Sequence, residues 1–199
     1  MKAENCIKIF EKAITDYHVK DDVYQSFTNP FEEGTIECTM YQKSWIDTVQ
    51  WHYEDIIRDP NIEPAAGMDM KRKIDESNQN RTDVVEQLDD YYISLFNNVS
   101  IQSNAKLNTE SPGWVVDRIS ILCLKIYHMQ EQVARTDADS NHKQQCLNKL
   151  NILLEQKEDL SASFNDLLDE IQKGEKQIKV YRQMKMYNDD TLNPILYKK

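Results

Sequence analysis

Two pairs of residues in this chain place an imidazole and a carboxylate three positions apart: His52-x-x-Asp55 and His128-x-x-Glu131. On a helix that spacing turns both groups to one face, where they could hold a metal ion or pass a proton. Di-metal carboxylate bundles use the opposite order, Glu-x-x-His, plus one further Glu from each of two other helices. This chain has no clear extra pair, and Arg81 and Lys125 would repel a dication, so no residue is assigned as a metal ligand. His18 and His142 fall at terminal or surface positions and are expected to be solvated.

The acidic run Asp83, Glu86, Asp89 and Asp90 could form one half of a Mg²⁺ site of the kind used against triphosphates. The matching Glu-x-x-Glu on an earlier helix is missing, which leaves a metal-dependent all-α phosphohydrolase as an alternative only. Nucleophile elbows, Walker loops and Gly-x-Gly-x-x-Gly fingerprints are absent from the sequence. What remains is a pocket for a polar or anionic ligand. Arg81, Arg118 and Lys125 could hold a phosphate or carboxylate. Asp75, Asn78 and Asp117 could read hydroxyls, with Trp114, Trp45 or Trp51 as a flat wall for a sugar ring or base. His52 and His128, whose residue type can exchange a proton near neutral pH, are the proton-transfer candidates, oriented by Asp55, Asp75 or Asp117. The expected catalytic set is therefore His52, His128, Asp55 and Asp117. The expected binding set is Asp75, Asn78, Arg81, Arg118, Lys125 and Trp114, with no cofactor assigned.

These residues matter because they break the pattern of the helices that carry them. The spacing of apolar residues and breakers predicts helices over 4–27, 35–58, 66–101, 112–136, 140–173 and 175–188, joined at Pro30/Gly34, Pro60/Pro64/Gly67, Pro112/Gly113 and Gly174. Ile7, Phe10, Ile14 and Tyr17 form one buried stripe of the first helix. Trp45, Ile46, Val49, Tyr53, Ile56 and Ile57 form the apolar face of the second, with His52 at its border. In the third, Asn78 and Arg81 interrupt the stripe Met70, Ile74, Val85, Leu88, Tyr92 and Leu95. The helix from 112 is apolar nearly all round, which marks it as central, yet Asp117, Lys125 and His128 sit on it. Ser111-Pro112 reads as its N-cap and first position. Charged groups on faces that must be buried are costly unless they pair or meet a ligand. A purely structural network fixing helix register is the competing account.

The 199 residues carry 24 Lys+Arg against 34 Asp+Glu, a net charge of −10. That balance argues against nucleic acid as a partner. Strand signals and internal repeats are missing, so one all-α domain over residues 1–199, a bundle of about six helices, is the expected architecture. Cys6, Cys38, Cys123 and Cys146 show no paired spacing and read as reduced thiols. The charged residues at positions 2–12 lead us to expect no secretory signal, and no apolar stretch approaches the ~20 residues that span a bilayer. A cytoplasmic protein is expected.

Long strings of the chain resemble one family. Trp45 to Pro60 (WIDTVQWHYEDIIRDP), Arg72 to Asp83 (RKIDESNQNRTD), Asn108 to Pro112 (NTESP) and Lys125 to Met129 (KIYHM) are similar to domain of unknown function 4254, as are Gln183 to Asn188 and Leu192 to Pro194. The resemblance implies a bacterial protein working beside glycosyltransferases of surface-polysaccharide assembly. It brings no established activity and no catalytic residues. The expected ligand is a phosphorylated or nucleotide-linked sugar. A non-catalytic scaffold for a glycosyltransferase is the alternative, docking through a helical stripe of Val180, Met184 and Tyr187 within Lys176–Tyr197.

Overall fold

A computed structural model describes residues 1–184, 186 and 189–198. Its helices are α1 (Ala3–Tyr17), α2 (Ile36–Ile56), α3 (Pro64–Leu95), α4 (Pro112–Ala134), α5 (Ser140–Gln172) and the short α6 (Pro194–Tyr197). Two dipeptide strands, β1 (Lys106–Leu107) and β2 (Lys176–Gln177), pair in parallel with Lys106 opposite Lys176. Thr35 caps α2 by accepting from the Cys38 N–H, and Asp139 caps α5 by accepting from that of His142. Among the described residues no helix is long and apolar enough to cross a membrane.

α4 is the central element and packs against α1, α2, α3 and α5. Its Val116, Ile119, Cys123 and Leu124 are buried with Phe10, Ile14 and Tyr17 of α1, Met40 and Tyr41 of α2, Leu88 and Tyr92 of α3, and Phe164 and Leu168 of α5. All four cysteines are free thiols. Ser111 stands at the N-cap of α4, but its own side chain does not cap. The cap comes from α3: Asp89 accepts from the Gly113 N–H at 2.7 Å and from the Ser111 hydroxyl at 2.7 Å. A carboxylate at a helix N-terminus satisfies orphan donors and meets the positive end of the dipole.

Three expectations are corrected. The first helix stops at Tyr17, ten residues short of the predicted end, because the chain turns back there. The Asp21 N–H and the Gln25 side-chain amide both donate to the Tyr17 carbonyl, and Asp21 takes a positive φ of 50°. The apolar face of α2 is rotated: Met40, Tyr41, Lys43, Ser44, Trp45, Asp47 and Thr48 are buried, whereas Ile56 is exposed. No helix forms over 175–184. Gly174 at φ 73° ends α5, and the Glu175 N–H closes the turn on the Glu170 carbonyl. The stripe expected of Val180, Met184 and Tyr187 therefore does not form over the described residues, and Tyr187 lies outside them.

Candidate functional site

The polar residues on α2, α3 and α4 gather into two groups. The first is an ionic quartet in the core. Lys43, with no exposed surface, donates to Asp47 one turn further along α2 and lies 2.9 Å from Asp117 Oδ1. Arg81 of α3 grips Asp117 with two parallel bonds, Nε to Oδ1 at 2.9 Å and Nη2 to Oδ2 at 2.6 Å. Its Nε also lies 3.3 Å from Asp47 Oδ1, and the Ser120 hydroxyl donates to Asp47 Oδ2 at 2.6 Å. Two cations thus face two carboxylates, the pairing that makes buried charge tolerable.

The two carboxylates are not equivalent. Burial alone would push Asp117 up, but the Lys43 ammonium and the Arg81 guanidinium hold it below the usual carboxylate range. For Asp47, burial pushes its pKa up, Lys43 opposes, and the adjacent Asp117 adds to the rise. Asp47 Oδ1 is buried without a hydrogen-bond partner. Neighbouring acids driven in opposite directions are a recurrent device for assigning proton donor and acceptor.

The second group is a trio of histidines. His52 of α2 and His128 of α4 meet His18, at the C-cap of α1, with ring centroids 5.3–5.5 Å apart. His52 Nε2 is 3.3 Å from His18 Nε2 and 3.6 Å from Asp21 Oδ1. His18 Nδ1 bonds the Ile14 carbonyl at 2.7 Å, and His128 Nδ1 bonds Glu131 at 2.8 Å. The expectation that His18 is solvated is overturned; the early end of α1 folds it inward. His142 is half-buried too, with Nε2 3.3 Å from Cys146 Sγ.

Three adjoining cavities connect the groups. One of about 290 Å³ is lined by Asp47, Trp51, Asp55 and Arg81 among others. A second, of about 560 Å³, shares Trp51 and Asp55 and adds Lys125, His128 and Lys149. A third, of about 230 Å³, takes Arg81, Asp117, Arg118 and Lys125. Trp51 stacks on His128, with centroids 4.7 Å apart and planes 12° from parallel.

The expected site residues therefore divide. His52 and His128 come together, but neither is oriented by Asp55, Asp75 or Asp117. Glu131 bonds His128, and the carboxylate nearest His52 is Asp21. Asp117 and Arg81 belong to the quartet, and Asp55, Arg118 and Lys125 line the cavities. Asp75 is exposed and paired with Lys71, Asn78 accepts from the Gln50 amide, and Arg118 pairs with Glu110 at 2.9 Å. Trp114 is half-buried and lines none of these cavities; Trp51 does. The acidic run of α3 is consumed elsewhere, Asp89 on the α4 cap, Glu86 and Asp90 on Arg182, and Asp83 on the Gln79 amide. Lys43, Asp47, Ser120 and His18 are the residues that sequence reasoning missed. One signal was available for the first two: a Lys and an Asp four apart flanking Trp45, where a solvated pair has no reason to sit.

Fold and site together define an all-α bundle with a charge-balanced quartet in its core and a histidine trio beside it. The chain belongs to the DUF4254 family of proteins of unknown function, whose family model matches residues 37–180. His52 and His128 lie inside the matched stretch and His18 before it. Comparison with curated proteins and with solved structures finds no match in either.

Proposed function

We propose that this protein binds a phosphorylated sugar, free or nucleotide-linked, in the run of cavities between α2, α3, α4 and α5. The observation that carries the proposal is the polarity of that run. At one end lie the Trp51 indole, an apolar wall for a sugar ring, and Asp47 Oδ1, a buried acceptor that is ion-paired with Arg81 but receives no hydrogen bond. At the other end lie Lys125, which is exposed, and the guanidinium groups of Arg81 and Arg118, which also pair with Asp117 and Glu110. In a chain of net charge −10, such a grouping of three cations suits a phosphate, with Arg and Lys as its usual donors. A ligand with hydroxyls at one end and phosphate at the other satisfies both. Work beside glycosyltransferases of surface-glycan assembly is the context that the family resemblance supplies for such a ligand.

Thermal-shift and calorimetric titration with sugar phosphates and nucleotide sugars test the proposal. A binding ligand raises Tm by mass action. Lys125→Ala, which removes an exposed cation, weakens affinity about 10- to 100-fold, the worth of one charge-assisted hydrogen bond. No shift with any sugar phosphate would sink the proposal. The scaffold reading keeps one supporting observation, the exposed side chains of Tyr181, Met184 and Met186, which suit a partner surface. Stable complex formation with a glycosyltransferase, lost in Met184→Asp, favours it instead.

A further inference from the structure

The histidine trio has a geometry that hydrogen bonding alone does not explain. His18 Nδ1 faces the Ile14 carbonyl and His128 Nδ1 faces the Glu131 carboxylate. Both partners are acceptors, so each ring holds its proton on Nδ1 and turns a bare Nε2 lone pair inward. The His128 Nε2 is buried without any hydrogen-bond partner. A bond from His52 to His18 would satisfy one of these lone pairs and leave the other stranded. One ligand atom from each ring lies within 4.8 Å of the other two. For an ion with Zn–N bonds of about 2.0–2.1 Å, a tetrahedron has N···N edges of roughly 3.3–3.4 Å. The His18–His52 distance of 3.3 Å already has that length.

The surroundings match what metal sites require. Ligating imidazoles commonly donate their second N–H to a carbonyl or carboxylate, which fixes tautomer and ring plane. Ile14 and Glu131 do this here. Each ring is also braced by an aromatic neighbour: Tyr17 stacks on His52, Tyr127 on His18 and Trp51 on His128. Neither member of the ionic quartet's cationic pair competes, since Lys43 and Arg81 are spent on Asp47 and Asp117.

We propose that His18, His52 and His128 form a three-nitrogen site for a divalent transition metal ion of the zinc type. Three protein ligands with a fourth position left to water is the pattern of catalytic rather than structural zinc. Asp21, whose Oδ1 is 3.6 Å from His52 Nε2, stands ready to bond that water or take the position itself. His128 also lines the largest of the three cavities, so the ion sits at the wall of the proposed sugar-phosphate groove. The metal site does not depend on that groove being used.

The test is zinc binding by the full chain. Protein stripped with a chelator is titrated with Zn²⁺ against a chromophoric competitor, and with Co²⁺ for tetrahedral d–d absorption. Wild type takes up one ion per chain. His18→Ala, His52→Ala and His128→Ala each weaken binding by at least about 100-fold, and Glu131→Gln, which keeps all three imidazoles, by about 10- to 100-fold. His142→Ala retains wild-type zinc affinity, and Lys125→Ala binds zinc at least as tightly as wild type while its sugar-phosphate affinity falls. Circular dichroism confirms that the alanine variants remain helical; if any unfolds, Glu131→Gln carries the test. Wild type that binds no zinc, or unchanged affinity in Glu131→Gln together with the folded alanine variants, overturns the proposal.

Discussion

Lys43 holds the buried ionic quartet together. It is wholly buried between Asp47 and Asp117, and removing one partner of a buried network leaves the others uncompensated. Lys43→Met therefore destabilises by about 3–5 kcal/mol, read as a fall in the urea midpoint. The paired acids also write a signature into pH dependence. Asp117 titrates below its unfolded value of 3.8, so its contribution is present above pH 3.8 and is lost as pH falls through the lower folded value. Asp47 titrates above 3.8 when folded, so its contribution is greatest at or below that pH and declines as pH rises toward the folded value. In Asp47→Asn the slope above pH 3.8 becomes shallower, Asp89 keeping a decline of the same sign, while the loss below it remains, measured by urea unfolding across the acid range. The sequence exposed part of this. Asp117 and Arg81 stood out because each interrupts an apolar stripe, whereas Lys43 and Asp47, four residues apart, pass for a surface pair unless their place on either side of Trp45 is weighed.

Among the elements, α4 depends most on a neighbour. Its first turn is closed by Asp89 from α3, and a Cβ on Gly113 would meet Asp89 Oδ1 at 2.6 Å and the Val85 carbonyl at 2.8 Å. Asp89→Ala removes this cap, costing about 1–2 kcal/mol, and Gly113→Ala costs at least as much because α3 and α4 must separate. Chemical denaturation measures both. The long helices were legible because 3.6-residue periodicity and Pro112 are local signals, whereas the cap expected of the Ser111 side chain is supplied by Asp89 from α3. The end of α1 was not legible. Apolar spacing continues past Tyr17, and only contacts from Asp21 and Gln25 to the Tyr17 carbonyl turn the chain aside. That turn brings His18 against His52 and His128, so misplacing one boundary hid one member of the trio.

For the whole molecule, the bundle is held shut by a seam between distant segments. The Gln102 N–H donates to the Gly174 carbonyl at 2.9 Å, and β1 pairs with β2. Gly174→Ala brings a Cβ to 2.2 Å from the Ser100 carbonyl at a backbone angle of 73° that alanine resists. Limited proteolysis between residues 96 and 111 is expected to accelerate in this variant while α1–α3 stay protected. During synthesis the seam has a further meaning. The linker that precedes α4 emerges from the ribosome some seventy residues before its parallel strand partner (Lys106 against Lys176). α4 can pack against α1, α2 and α3 in that interval, but the linker must wait unpaired until translation has delivered all of α5. Closure of the fold is thus timed by the ribosome, and a nascent chain stalled before residue 176 would carry its central helix without a fastened entry.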